Sequence, residues 1–140
     1  MKLIIPAYFK ALNRSGKPTD FALTSNHMYK IAKIGKRTVP VLKDEAKTWY
    51  YEAAWRAKEW VRKTGWQMPA KETPVIMNIW YFFKDEKHGD AGNYHKALGD
   101  FHHGIIVVDD KKLLWRDQEI QIDKDNPRIE LEFIIVVKEG

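Results

Sequence analysis

The stretch "KDEAKTWYYEAAWRAKEWVRKTG" (residues 43–65) decides the fold. Its apolar residues recur every three or four positions, which places them on one face of a helix. Asp44 and Glu45 suit the positive end of a helix dipole, and Arg62 and Lys63 suit the negative end. Gly65 is a typical stop residue. The sequence therefore predicts one long helix over 43–65, with an aromatic stripe that contacts the core or a dimer partner. The stripe comprises Ala46, Trp49, Tyr50, Ala53, Ala57, Trp60 and Val61.

The segments on either side of this helix read mainly as strands. On the N-terminal side, "KLIIPAYF" (2–9) predicts a first strand, residues 10–30 are loop-like, and 30–42 predict a strand or an irregular hairpin. On the C-terminal side, "PVIMNIWYFF" (74–83) is rich in β-branched and aromatic residues and predicts a strong strand.

The last third of the chain adds a second helix and more strands. "GNYHKALGDFHHG" (92–104) predicts a short helix, and "IIVV" (105–108) predicts a strand buried on both faces. Residues 117–123 and 128–137 flank the turn sequence "KDNP" and predict a hairpin. The predicted fold is α+β, with a small mixed or antiparallel sheet and two main helices in a single domain spanning residues 1–140.

Composition restricts the chemistry. The 140 residues include no cysteine, which excludes disulfide scaffolds, Cys-zinc sites and thiol catalysis. No apolar run is long enough for a membrane helix, and the N-terminal apolar stretch is too short for a secretory signal, so a cytoplasmic protein without membrane contact is expected. No phosphate-binding loop or nucleophile elbow occurs, and no organic cofactor is expected.

The charges are distributed unevenly. Residues 1–71 carry 15 Lys/Arg and 5 Asp/Glu, whereas residues 72–140 carry 9 and 14. A basic half offers a surface to a polyanion, and an acidic half offers carboxylates to a metal ion. Both halves are equally compatible with ordinary solvated surface.

Candidate chemistry is concentrated in "KHGDAGNYHKALGDFHHGIIVVDDKKL" (residues 87–113). On a helical wheel, Asn93, Lys96 and Asp100 lie opposite the apolar face. Taken singly, each has a structural interpretation: Asp90 as a helix N-cap, and Lys96 with Asp100 as an i,i+4 pair on a solvated face.

Asp109 and Asp110 are adjacent acids at the end of an apolar run, where like charges are costly unless a cation or solvent relieves them. Phosphodiester hydrolysis with a hard cation uses two or three carboxylates, and a nearby lysine can neutralise developing charge. The histidines of this region are interpreted as surface residues, some near DNA. His103 shares the polar face with Lys96, and His95 and His102 are too far apart on one helix to chelate a single ion.

The stretch "GDAGNYHKALGDFHHGIIVVDDKKL" resembles the core of the RusA-type Holliday-junction resolvases, a phage and prophage family. That family's pattern is Asp-x-Asp-Asn, a lysine three residues after the Asn, an apolar helix, a Gly-containing turn and a strand ending in Asp-Asp. The segment "TSNHMYK" (24–30) is similar to the family's Ser/Asn…Tyr segment. The matching positions are Asp90, Asn93, Lys96, Ala97, Leu98, Asp100, Gly104, Asp109 and Asp110.

The resemblance implies a homodimeric, Mg²⁺-dependent endonuclease, with Mn²⁺ as a substitute, that cuts four-way DNA junctions by paired nicks. It implies Asp90 and Asp110 as metal ligands and catalytic acids, and Asp109 as an auxiliary acid at the metal. It also implies Lys96 as the residue that assists cleavage and Asn93 as a supporting residue. The residues expected to bind DNA phosphates are Lys30, Lys33, Lys36, Arg37, Lys111 and Lys112.

One position departs from the family pattern: its second acid is Gly92 here. Three explanations are open. Asp109, Asp117 or a water replaces the missing ligand; the metal binds more weakly but still catalytically; or the protein binds junctions without cutting them. Retained activity is favoured because the other motif residues are present.

Overall fold

The computed structural model describes residues 1–137 of the chain and arranges them as a mixed sheet, two hairpins and three helices. The strands are β1 (Leu3–Ile5), β2 (Tyr8–Leu12), β3 (Pro18–Ala22), β4 (Tyr29–Ile34), β5 (Arg37–Leu42), β6 (Val75–Phe83), β7 (Leu113–Ile122) and β8 (Arg128–Ile135). The helices are α1 (Ser25–Met28), α2 (Asp44–Thr64) and α3 (His95–Asp100), the last preceded by a 3₁₀ turn (Ala91–Tyr94).

Helix α2 confirms the predicted long helix. It ends where Gly65 adopts φ 71° and donates its N–H to the Val61 carbonyl at 3.0 Å. The predicted stripe is buried at Ala46, Trp49, Ala53, Ala57 and Trp60. Two indole groups of this stripe also hold the N-terminal segment, because Trp49 donates to the Pro6 carbonyl at 2.8 Å and Trp60 to the Met1 carbonyl at 3.0 Å. The stripe is therefore core.

Four strands form a sheet in the order β1-β8-β6-β7, with β6 antiparallel to β8 and parallel to β7. Strand β6 alternates strictly, burying Val75, Met77, Ile79, Tyr81 and Phe83 on the side that faces the helices. The single small domain, the mixed sheet and the α+β class are as predicted.

The predicted hairpin of 117–123 with 128–137 is wrong, because β7 and β8 do not pair with each other. Strand β6 lies between them, and the "KDNP" loop crosses its end, where Asp123 N–H donates to the Phe83 carbonyl at 2.7 Å. A turn sequence fixes a reversal of the chain. It does not fix whether another strand enters between the two arms, since that depends on long-range pairing.

The predicted buried strand at 105–108 is also wrong. Ile105 and Ile106 N–H groups both donate to the His102 carbonyl at 3.0 Å, so the segment is a turn that continues α3. Ile106 and Val107 are buried but Val108 is 42% exposed. Four apolar residues are too few to distinguish a strand from a buried turn by pattern alone.

The N-terminal third is more ordered than predicted. Pro6 separates β1 from β2, so 2–9 is two strands, and residues 10–30 contain the β2–β3 hairpin and α1 instead of a loop. Asn13 makes this hairpin, because its side-chain oxygen accepts hydrogen bonds from the N–H groups of Ser15 and Lys17, both at 3.0 Å. Within residues 1–137, no helix is long and apolar enough to cross a membrane.

Candidate active site

The motif helix presents its polar face to solvent as predicted. Asn93 and Lys96 are exposed and Asp100 is half-buried, whereas Tyr94, Ala97 and Leu98 are buried against the sheet. Gly99 allows this close packing, since a Cβ there would lie 3.1 Å from the Trp115 ring of β7. The helix is short, from His95 to Asp100, because the turn that begins at Phe101 ends it well before residue 104.

Lys96 and Asp100 form the predicted i,i+4 pair, with Lys96 Nζ 3.2 Å from Asp100 Oδ2. The hydrogen bond and the charge of Asp100 raise the pKa of Lys96, so the lysine is cationic at neutral pH. Its ammonium also lies 5.6 Å from the centre of the Tyr29 ring. This side chain is therefore held between the motif helix and the segment that enters β4.

The turn after α3 brings the distal acids back to the helix. Gly104, at φ 75°, donates its N–H to the Val107 carbonyl at 2.7 Å, which reverses the chain. The Trp66 indole holds this turn by donating to the Ile106 carbonyl at 3.0 Å. Asp110 then begins the entry into β7, where its carbonyl accepts from Leu113 N–H at 3.1 Å.

As a result Asp110 meets the C-terminal end of α3. One ligand atom from each of Asp100, His103 and Asp110 lies within 4.8 Å of the other two, and the described residues 1–137 contain no other such group of three. Two carboxylates and an imidazole are a donor set that suits a divalent cation. The structure thus joins two predicted residues, Lys96 and Asp110, through Asp100.

Sequence reasoning missed Asp100 and His103 as partners of Asp110. It assigned Asp100 to the pair with Lys96 and to the family pattern, and it placed His103 only on the polar face that carries Lys96. Their i,i+3 spacing on the polar face pointed to a shared site, but the turn that returns Asp110 to them was predicted as the end of a helix (92–104) and a strand (105–108).

Asp90 lies at the other end of the motif helix and is not part of this group. Its carbonyl accepts from Asn93 N–H at 3.1 Å, but its carboxylate makes no capping hydrogen bond with the 3₁₀ turn. The N-cap interpretation of its side chain is therefore wrong. The carboxylate of Asp90 is exposed beside Gly92 and Asn93.

The two acids suggested as replacements for the missing ligand have other contacts. Asp109 accepts from Lys111 N–H at 3.0 Å and lies 3.7 Å from Lys71 Nζ; the first contact, then the nearby cations, lower its pKa. Asp117 accepts from the Tyr81 hydroxyl at 2.7 Å and contacts the His95 ring at 2.9 Å.

A surface cleft connects the motif to the α1 segment. Its lining residues are Thr24, Ser25, Asn26, Gly92, Asn93 and Lys96. The "TSN" segment that resembles the family is therefore placed against Asn93 and Lys96, although it is more than sixty residues away in sequence. Hydroxyl, amide and ammonium groups converge here, and each can donate to phosphate oxygens.

The predicted basic residues lie next in sequence to residues of this site. Strand β4 follows α1, and the β4–β5 hairpin carries four exposed cations: Lys30, Lys33, Lys36 and Arg37. Lys111 and Lys112 are exposed in the turn that follows Asp110. One basic group therefore follows α1 in the sequence, and the other follows Asp110.

His102 corrects the interpretation of these histidines as surface residues. It is fully buried between the rings of Phe101 and Phe133, at centroid distances of 4.8 and 5.2 Å. Burial, and then the neighbouring His103, lower its pKa to about 3. His102 is therefore a neutral core residue, whereas His103 beside it is exposed.

The comparison with known families agrees with this geometry. The model for Endodeoxyribonuclease RusA matches residues 20–134, which include the α1 segment, the motif helix and both distal acids. A search of curated proteins finds no match. RusA proteins are endonucleases that act on branched DNA junctions and use a divalent metal. Because the match covers most of its length, the chain belongs to the RusA endodeoxyribonuclease family.

Proposed function

We propose that this protein is a Mg²⁺-dependent endonuclease that resolves four-way DNA junctions by paired nicks, with Mn²⁺ as a substitute. The observation that most supports this proposal is that the family's lysine, Lys96, and its last acid, Asp110, both lie beside Asp100. The cleft lined by Asn26, Asn93 and Lys96 is next to them and is open to a phosphate backbone.

We assign a separate role to each motif residue. Asp90 and Asp110 are the acids that the family pattern assigns to the cation, which would supply Lewis-acid chemistry at the scissile phosphate. Lys96 neutralises charge that develops on the phosphate or on the leaving oxygen, and Asn93 orients the loop that carries Asp90. Asp109 is the auxiliary acid, and it acts by fixing the turn through its hydrogen bond with Lys111 N–H.

The basic residues bind the arms of the junction through phosphates. Lys30, Lys33, Lys36 and Arg37 form an exposed two-stranded arm, and Lys111 and Lys112 flank the acid site. A contact of this kind is independent of base sequence and sensitive to salt.

We further propose a homodimer, because the two-fold symmetry of a junction matches that of a C2 pair. Strand β7 supports this proposal. It is an edge strand of the sheet, and its residues from Arg116 to Ile122 are exposed. Ile120 and Ile122 are paired with Tyr81 and Phe83 of β6, and so lie on the core-facing side of the sheet, yet are 44% and 43% exposed.

A nicking assay on a synthetic four-way junction, labelled on each strand in turn, tests the proposed activity. We expect symmetric nicks in Mg²⁺ or Mn²⁺ and none with a chelator. An absence of nicks with either ion, together with tight junction binding, would favour the second candidate: a junction-binding protein that does not cleave. Gly92 is the observation that favours this alternative, because it is exposed and supplies no ligand where the family has an acid.

A further inference from the structure

We propose that Asp100 and His103 bind the catalytic cation together with Asp110 at the C-terminal end of the motif helix, away from Asp90, and that the His103 imidazole there compensates for the acid that the family has at the position of Gly92. The site would then take a transition-metal ion such as Mn²⁺ or Co²⁺ in preference to Mg²⁺. This inference rests on the proposed function, since it concerns the same cation.

The missing acid has no replacement close to its own position. Gly92 is exposed, and a Cβ built on it would have no heavy atom of a more distant residue within 4 Å. The carboxylates of Asp109 and Asp117 are occupied by Lys111, Lys71, Tyr81 and His95. A further ligand must therefore come from elsewhere in the site.

Asp100 and His103 lie close enough to Asp110 to share one cation with it. His103 Nε2 is 4.0 Å from Asp100 Oδ1, and a ligand atom of each lies within 4.8 Å of an Asp110 oxygen. Ligand atoms about 2.1 Å from one ion are about 3 to 4 Å apart, so only small movements close the set around a cation. The His103 side chain is 34% exposed and can make such a movement.

The two carboxylate oxygens of Asp100 have different partners. Its Oδ2 accepts from Lys96 at 3.2 Å, whereas its Oδ1 is directed towards His103. One carboxylate thereby links the lysine of the family motif to the cation. This arrangement fixes the distance between the two positive charges that act on a phosphate.

The imidazole ligand determines which cation this site prefers. Mg²⁺ prefers oxygen ligands and near-octahedral geometry, and it binds imidazole poorly. Imidazole suits first-row transition metals, whose affinity rises from Mn²⁺ towards Cu²⁺. Replacing a carboxylate of the family site by an imidazole therefore shifts selectivity away from Mg²⁺.

The test measures binding of Mn²⁺ to the DNA-free protein by the loss of the free-ion EPR signal, with Mg²⁺ as competitor. We expect His103→Asn to weaken Mn²⁺ binding by about tenfold or more, as loss of a metal ligand or its support does. Mg²⁺ binding should change little. The matched control is His27→Asn, an exposed histidine on α1, which should bind Mn²⁺ like the wild type. Thermal melting verifies that each variant is folded.

A second variant and a second readout keep the inference independent of activity. Gly92→Asp in the His103→Asn background should restore binding with a preference for Mg²⁺. In the wild type, Mn²⁺ should broaden the NMR signals of the His103 ring more strongly than those of His27. Unchanged Mn²⁺ affinity in His103→Asn, or no Mn²⁺ binding by the wild type, overturns the inference. Mn²⁺ binding through His103 without junction cleavage would instead overturn the nuclease proposal alone.

Discussion

At the scale of single residues, the carboxylate of Asp110 is the group on which both proposals depend. It is half-buried, close to Asp100 and His103, and its backbone carbonyl anchors the start of β7. A change from carboxylate to amide removes charge at nearly constant shape. It therefore tests the role of the charge without disturbing the packing.

We expect Asp110→Asn to abolish cleavage and to spare junction binding. The loss of a negative ligand weakens the cation site, whereas phosphate contacts from the basic residues persist or improve. Gel-shift and nicking assays on one junction preparation measure the two properties. Gly92→Asp is the complementary change and should raise the cleavage rate in Mg²⁺. Full cleavage by Asp110→Asn would remove this residue from the site.

His102 predicts a separate, structural effect of pH. Its folded-state pKa of about 3 lies below its ordinary value of 6.5, so the unfolded chain takes up a proton that the folded protein excludes. Stability is therefore full above pH 6.5 and falls as the pH drops towards 3. Between about pH 7 and about pH 5 this histidine should reduce the free energy of unfolding by about 2 kcal/mol.

Urea titrations of the wild type and of His102→Leu at several pH values measure this effect. The leucine variant should lose that part of the acid sensitivity and keep the fold, since the side chain packs between two aromatic rings. Equal pH slopes for the two proteins would show that His102 does not titrate on unfolding.

At the scale of elements, the predictions were correct for helices and strands whose boundaries are set by residues within the element itself. The boundaries of α2 and of β6 follow from a helical stripe with a terminal glycine and from strict alternation in a β-branched run. The polar face of α3 was predicted correctly for the same reason. These are local properties, and the partner segment only has to supply an apolar surface.

Prediction failed for segments whose structure depends on contacts with residues far away in the sequence. The entry of β6 between β7 and β8, and the turn of 105–108 under Trp66, depend on contacts between segments that are far apart in sequence. The same limit applies to the site. Lys96 and Asp110 were identified by type and by family resemblance, whereas the contribution of His103 depends on how the segment after Gly104 returns Asp110 to the helix, and that segment was predicted as a strand.

The exposed lysines of the β4–β5 hairpin are expected to bind DNA phosphates, and this can be tested by mutation. Lys33→Ala with Lys36→Ala should weaken junction binding without altering stability, because both side chains are exposed and no ion pair of Lys33 or Lys36 occurs within residues 1–137. The slope of log affinity against log salt should fall by about 2, since each phosphate that a lysine no longer neutralises lowers it by about one.

Fluorescence anisotropy with a labelled junction over a salt series measures this slope. Lys58→Ala on α2 is the matched control, because it removes one exposed cation that we do not assign to DNA binding. An affinity that does not depend on salt in the wild type would contradict the phosphate-driven binding proposed for this hairpin.

At the scale of the whole molecule, we expect the proposed dimer to cover the edge of β7. The predicted aromatic stripe of α2 was a candidate for such an interface, but its Trp49 and Trp60 are buried in the core, and of the tryptophans of this helix Trp55, at 60%, is the exposed one. The edge strand is the better argument. Every second residue of β7 directs its backbone N–H and C=O groups to the open edge, and Ile120 and Ile122 lack cover on the core-facing side.

We propose a two-fold, antiparallel pairing of β7 with its copy, centred between Asp117 and Gln118, which would satisfy these features. It places Arg116 opposite Glu119 of the partner subunit, and Trp115 opposite Ile120 of the partner subunit. The register shift after Ile79 of β6 keeps both members of each pair on the same side of the sheet. Opposite charges at directly paired positions stabilise a sheet, and here the symmetry provides the pair twice.

Arg116→Glu should therefore weaken dimerisation by about 2 kcal/mol, or about 30-fold in Kd, because like charges then face each other twice. Adding Glu119→Arg should restore the dimer, because the pair is re-formed with its charges exchanged. Sedimentation equilibrium of the three proteins measures the dissociation constants. Arg14→Glu, in the turn of the β2–β3 hairpin, controls for the change in net charge and should not affect assembly. If the double variant is as weak as Arg116→Glu, or the wild type sediments only at 16.5 kDa, the two chains do not associate through this edge.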